Sequence, residues 1–207
     1  MGYDLIGGLL FLVLAPLVIL GFIAFWKMTN LERAEIERTW EMYAANRERE
    51  YVPARGEWPN RTSPSIRWRR DDIDFALSLV GLEADARTRL SARPHGRLLG
   101  SFEVLTSTTR SDESGVRFAD AAFSQTFVVS ERPAGVAARV LNEGARRALL
   151  GFRQGDDVAL RYRRGRLILE WPGRESNDAR LDEAERVLRE LVRGVDTAFL
   201  DAARAAS

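Results

Sequence analysis

The sequence predicts an α+β fold: a single N-terminal transmembrane helix, a helical stalk, then an antiparallel sheet with helices packed on one face. Three observations carry this. An uncharged apolar run extends from Leu5 to Trp26, an apolar period of two sets in beyond Asp72, and two amphipathic helical stretches follow groups of strands rather than alternating with single ones. The expected order in the folded part is β-β-β-β-α-β-β-α. The expected divisions are 1–29 for the anchor, 30–51 for a juxtamembrane helix, 52–66 for a linker and 67–207 for the soluble domain.

At ~1.5 Å rise per residue, a helix over Leu5–Trp26 is long enough to cross a hydrocarbon core of ~30 Å. Pro16 interrupts the run, which a membrane helix tolerates with a kink. Tyr3, Trp26 and Lys27 bracket it as membrane-interface residues. A cleaved signal peptide is the competing reading, but it requires a basic leader and a small-residue cleavage site, and "MGYD" is acidic while "AFWKM" is a poor site. No Lys or Arg precedes the run, whereas Lys27, Arg33, Arg38, Arg47 and Arg49 follow it. The positive-inside rule then places the N-terminus outside and the C-terminal domain in the cytoplasm.

Asn30 can cap a helix at Leu31, and "LERAEIERTWEMYAANRERE" contains no Gly or Pro. Ile36, Trp40 and Tyr43 fall at i, i+4 and i+7, a single apolar stripe that is either a partner-binding or self-association face or a surface laid on the chain's own folded domain or against the headgroups. "VPARGEWPNRTSPS" then reads as an extended linker. Its Asn60–Thr62 sequon is accidental if the domain is cytoplasmic.

Strands are expected at Asp74–Leu82, Ala84–Arg93, Leu98–Thr106 and Phe123–Ser130, the second with Ala84, Ala86, Leu90 and Ala92 on one face and Asp85, Arg87, Arg89 and Arg93 on the other. One face is thus expected to be wet. Pro133 suits a first helical position, with Val136, Val140, Leu141, Ala145, Ala148, Leu149 and Phe152 as the buried stripe. Gly144 marks a break, and Asn142 can cap a second segment. A hairpin follows: Val158–Tyr162, a turn at Arg164–Gly165, and Arg166–Trp171. Asp178 is placed to cap a last helix carrying Leu181, Ala184, Leu188, Leu191, Val195 and Phe199.

Composition excludes much chemistry. Lys plus Arg is 31 and Asp plus Glu is 30, so bulk charge drives no nucleic-acid binding. There is no cysteine, which removes disulfides, zinc thiolates and thiol nucleophiles. Lys27 is the only lysine, leaving the folded part without a phosphate-loop or Schiff-base lysine. The preference for Arg over Lys, with abundant Ala, Gly and Leu, fits a GC-rich bacterial coding bias. The one histidine, His95, sits between Pro94 and Gly96 in a turn. No catalytic residue, metal ligand or cofactor site is assigned from the sequence.

Two stretches interleave Arg with an aromatic: Arg67, Arg69 and Arg70 around Trp68, and Arg161, Arg163, Arg164 and Arg166 around Tyr162. Together they form a candidate anionic-ligand patch, for phospholipid or, less favoured, for single-stranded nucleic acid, provided both lie on one face. Asp71 and Asp72 read as turn or edge residues, and Asp156 and Asp157, adjacent at a strand start, point to opposite faces and do not converge. The series Phe102, Phe118, Phe123, Phe127 and Phe152 reads as core rather than ligand pocket. The resulting expectation is a membrane-anchored, non-enzymatic binding or scaffold protein, a subunit or accessory factor of a membrane complex, with the bilayer as one partner and other membrane proteins or a second copy as further ones. The alternatives are a membrane-tethered enzyme with dispersed Asp, Glu, Ser or Arg groups, and the phospholipid- or nucleic-acid-binding module.

Overall fold

The computed structural model describes residues 3–56, 62–81, 85–107, 115–153 and 157–205; between 3 and 33, the side chains of 3–13, 15, 22, 25, 26, 29, 30, 32 and 33 are outside the description. The chain divides into two compact units, Met1–Thr39 and Trp40–Ser207. Helix α1, Tyr3–Ala45, runs through Pro16 without interruption. In the first unit Leu17, Val18, Ile19 and Leu20 are exposed, a full helical turn of apolar side chains. Among the described residues, no helix is long and apolar enough to cross a membrane.

The second unit is α+β. Its strands are β1 (Glu50–Val52), β2 (Ser65–Arg70), β3 (Ile73–Val80), β4 (Arg87–Arg93), β5 (Ser101–Thr106), β6 (Phe127–Arg132), β7 (Ala159–Arg163) and β8 (Arg166–Pro172). Its further helices are α2 (Ala121–Thr126), α3 (Val136–Val140), α4 (Glu143–Arg153) and α5 (Asp178–Ala205). The strands form one antiparallel eight-stranded sheet in the order β1-β2-β3-β4-β8-β7-β5-β6.

Because side chains alternate along each strand, the register stacks one residue per strand into rows across the sheet. One row is apolar from end to end: Tyr51, Ile66, Leu77, Leu90, Leu169, Leu160, Val104 and Val129 are matched through successive strand pairs. From Ile66 onwards every member is buried. On this face α5 packs over β4 and β8, α3 over β5 and β6, and α4 against α5. The helices contribute Val140, Leu149, Phe152, Leu188, Leu191 and Val195 to the core. Phe152 meets Trp171 edge to face at 5.2 Å, and Phe123 packs on Phe118 and Phe127 at 5.3 and 5.0 Å. The expected phenylalanine core is therefore present, with Phe118 half-buried.

Several local expectations need correction. The juxtamembrane helix ends at Ala45 instead of residue 51: Glu48 takes a left-handed φ of 52°, and Glu50–Val52 becomes a strand paired with β2. Strand β2 covers "SIRWRR", where a linker and domain start were expected; its alternation of Ile66 and Trp68 with Arg67 and Arg69 is the missed signal. The β2–β3 turn places Asp71 and Asp72 at positive φ (51° and 61°), matching the 54° and 72° of Arg164 and Gly165 in the β7–β8 turn. Both are two-residue turns whose twist suits a right-twisted hairpin. Phe123 belongs to α2, not to a strand: Asp120 caps that helix by accepting from Phe123 N, and the strand starts only at Phe127.

Pro133 lies before α3 rather than inside it. The helix start is held by Glu131, which accepts from the N–H groups of Gly135 (2.5 Å) and Ala137 (2.6 Å). Asn142 does cap the next helix, its Oδ1 accepting from Ala145 N at 2.9 Å. For α5 the cap is Asn177, which accepts from Ala179 N at 2.9 Å, and not Asp178. Phe199, expected in its buried stripe, is 40% exposed. Leu82, Ala84, Asn60 and Asp156 lie outside the described residues, as does most of the loop after β5.

Gly194 lets α5 approach α3: a Cβ there would overlap the Val140 carbonyl oxygen, whereas a Cβ on Gly151 of α4 meets open space. Gly194→Ala is expected to lose about 1–3 kcal/mol of unfolding free energy, and Gly151→Ala to gain about 0.5–1 kcal/mol. Urea titration of the two variants checks both signs.

Candidate functional site

Two regions gather the sequence-selected residues, and both lie in the second unit. The first is where residues 40–49 dock. Trp40 is fully buried and its Nε1 donates to the Glu175 carbonyl at 2.8 Å. Tyr43 is buried and its hydroxyl donates to Asp182 (2.9 Å) while accepting from Arg49 Nη1 (2.8 Å). Arg49 also donates to Glu185 at 2.7 Å, in a pair whose side chains are 7% and 2% exposed, and Arg70 reaches the other oxygen of Glu185 at 3.3 Å. Arg47 bridges Asp178 (3.1 Å) and Asp182 (2.7 Å) and lies 4.2 Å over the Tyr43 ring. Trp68 stacks on Phe75 at 5.3 Å, with the Arg49 guanidinium 4.1 Å above its ring. A cavity of about 560 Å³ opens beside this cluster.

The electrostatics follow from burial. Tyr43 titrates above its ordinary range, chiefly because burial disfavours the phenolate, with Arg49 opposing. For Asp182 burial acts against the charge, but the hydrogen bonds from Arg47 and Tyr43 outweigh it and hold the carboxyl below the usual value. Of the stripe Ile36, Trp40 and Tyr43, the last two are thus buried in the second unit, and Ile36, in the first, is 9% exposed. Lys27 is exposed, and the side chains of Tyr3 and Trp26 lie outside the described residues.

The second region is the face of the sheet opposite the helices. The odd–even alternation that buries Ile66, Leu77 and Leu90 directs Arg67, Arg69, Arg89, Arg93, Arg161, Arg163 and Arg166 to that other face. Its middle carries a charge ladder over four strands: Arg89 to Glu170 (2.6 Å), Glu170 to Arg161 (2.7 Å) and Arg161 to Glu103 (2.5 Å). Burial works against the Arg161 charge, yet Glu103 and Glu170 raise its pKa. Arg161 is therefore committed internally.

Towards the β2–β3 and β7–β8 turns the same face carries Arg69, Asp74 and Arg93, matched across β2, β3 and β4, and Arg166 matched with Arg163 across β8 and β7. Arg69 is held by Asp72 (3.2 Å) and Asp74 (3.9 Å). Arg93, Arg163 and Arg166 are exposed and form no ion pair among the described residues. A cleft of about 620 Å³ is lined by Arg67, Arg69, Arg93 and Arg166 together with Glu48, Glu50 and Asp74. The two arginine stretches therefore do share a face, joined by Arg93, which was read only as a wet strand position. Two of the seven selected arginines do not lie on it: Arg70 points to Glu185, and Arg164 lies in the turn.

The aromatics do not accompany the arginines. Trp68 is sandwiched between Phe75 and Arg49, and Tyr162 is fully buried with its hydroxyl accepting from Leu98 N at 2.9 Å. Strand alternation separates them from the arginine face, so neither ring stacks on bases beside those arginines. Asp71 and Asp72 sit in the hairpin turn. His95 is exposed, its Nδ1 3.3 Å from Asp196. Among the described residues no group of three His, Asp or Glu side chains is placed to hold a metal ion.

No known family model and no curated protein matches this chain. Among solved structures it is similar to the crystal structure of the mycobacterial trehalose monomycolate transport factor A, TtfA, with a TM-score of 0.58 and 10% sequence identity over 77% of this chain and 93% of that one. At that identity the likeness is one of fold.

Glu185 is the buried carboxylate on which Arg49 and Arg70 converge. Glu185→Gln is expected to cost about 3 kcal/mol, because it leaves the enclosed Arg49 charge without its counter-ion; urea unfolding measures it. Since the folded-state pKa of Asp182 is lowered, its contribution is complete above the ordinary value of about 3.9 and is lost as pH falls through the lowered one. Asp182→Asn should remove that part of the acid sensitivity, seen as a flatter dependence of the urea midpoint on pH below 5 or so.

Proposed function

We propose that this chain is a non-enzymatic accessory factor in lipid transport at a membrane, held there by its N-terminal helix and recruiting an acidic membrane-protein partner through the arginine face of its sheet. The observation that carries the reading is the exposed row Arg93, Arg166 and Arg163, which has no ion-pair partners among the described residues, beside the cleft that Arg67 and Arg69 also line. Such a row is electrostatically unfinished, and an acidic segment laid across it would complete it. The fold neighbour's description as a trehalose monomycolate transport factor supports the functional class. Support for anchoring comes from the uncharged run Leu5–Trp26 and the exposed apolar side chains at Leu17–Leu20. The charge asymmetry around that run favours a cytoplasmic domain.

A photo-crosslinker at Ser91, within the cleft, is expected to capture a membrane protein through an acidic segment in intact membranes. The triple variant Arg67→Gln, Arg93→Gln, Arg166→Gln should reduce that capture about tenfold, as three exposed charge pairs are lost. Capture that is unchanged in the triple variant overturns the reading. In sealed right-side-in vesicles the domain should resist added protease, and its digestion from outside would reverse the orientation.

A further inference from the structure

The end of the sheet that carries the β7–β8 turn has a second character. The loop joining β4 to β5, residues 94–100, is clasped from two sides. On one side Gly96 lies directly against Phe199 of α5, and its N–H donates to Asp196 at 2.7 Å. On the other, a Cβ placed on Gly165 of the β7–β8 turn would meet the Arg97 side chain at 3.3 Å, and Leu98 is bound to the Tyr162 hydroxyl through its N–H. The loop is therefore a built feature of the fold. Yet it leaves Leu99 86% exposed, and on α5 Phe199 (40%), which lies against Gly96 of this loop, and its neighbour Leu200 (54%) are exposed as well. The same loop carries Arg97, which lies against the β7–β8 turn where Arg163 and Arg164 sit, and all three are exposed and without an ion pair among the described residues.

We infer that this tip is a peripheral docking surface for an anionic bilayer. A leucine held almost completely in water by a fixed loop costs hydrophobic free energy with no return inside the fold. Apolar side chains ringed by guanidinium groups fit the interface between acyl chains and anionic headgroups: Leu99, Phe199 and Leu200 enter the boundary while the arginines remain at phosphate level. A protein partner is a poorer fit, because three apolar side chains fall far short of the roughly 20–30 residues a side that a stable interface uses. The tip lies ~25 Å along α5 from Asp182, where residues 40–49 dock, and so is separate from that end of the unit. The inference goes beyond the proposed accessory role and holds whether or not the N-terminal helix is an anchor.

The absence of cysteine makes the test direct. The full chain carrying Leu99→Cys with a polarity-sensitive fluorophore is reconstituted with vesicles of phosphatidylcholine, alone or with phosphatidylglycerol, and Glu143→Cys on α4 serves as the control position. The expected result is a blue shift and loss of iodide quenching at position 99 with phosphatidylglycerol only, reversed by high salt, and no change at 143. Replacing Arg97, Arg163 and Arg164 by Gln should weaken the response about fivefold per arginine. Emission at 99 that ignores phosphatidylglycerol overturns the inference. So does an equal shift in both vesicle types, or one that follows protein concentration without lipid and so reports self-association. Retention of the chain on phosphatidylcholine vesicles reports on the N-terminal helix separately, so failure of the tip and failure of the anchor are told apart.

Discussion

The buried row that crosses the whole sheet, from Ile66 through Leu77, Leu90, Leu169, Leu160 and Val104 to Val129, is the constraint on which the rest of the unit depends. A slip of one residue in β2, β4 or β7 would exchange a buried aliphatic for a charged neighbour: Arg67 for Ile66, Arg89 for Leu90, Arg161 for Leu160. The apolar row therefore also places the charge. The Arg89–Glu170–Arg161–Glu103 ladder and the Arg93–Arg166–Arg163 row are what remains on the other face once the core register is set.

The same argument explains why the face is partly satisfied and partly not. Where the register puts Arg opposite Glu, as at Arg89–Glu170 and Arg161–Glu103, the pairs close into a ladder that tolerates the burial of Glu170. One row further on, Arg93 faces Asp74 across β4 and β3, while Arg166 meets Arg163 across β8 and β7 and both extend into solvent. Like charges facing one another across adjacent strands weaken a sheet, so that row runs against the stability of the fold and is where a role outside stability is best sought.

Much of this was legible in the sequence where one physical signal dominated. The antiparallel α+β class, the β7–β8 hairpin, the Asn142 cap and the apolar stripes of the later helices all follow from period and turn chemistry. Errors arose where two signals overlapped. Phe123 lies four residues before β6 and reads as part of it, because a single capped turn such as α2 is too short to show helical periodicity. Glu131 looks like a strand residue, yet its carboxylate is what starts α3. The Asp71–Asp72 turn lacks the Gly that marks such turns, which hid β2 inside an apparent linker. The site was legible as two arginine stretches. Their union was not, since Arg93 joins them only through the order β2-β3-β4-β8, which no local pattern reveals.

The sheet's two borders carry a further consequence. On one side β1 has only three residues and runs into Pro53, which lacks an N–H; on the other, β6 is already met by the loop after β5, where Val116 N donates to the Val129 carbonyl at 2.8 Å. A ninth strand would find little free backbone at either border, so recruitment by strand addition is poorly served, and edge-to-edge aggregation with it. Whatever assembles on this unit must read side chains on its faces and tips. Its associations should therefore dissolve in salt well before they dissolve in denaturant.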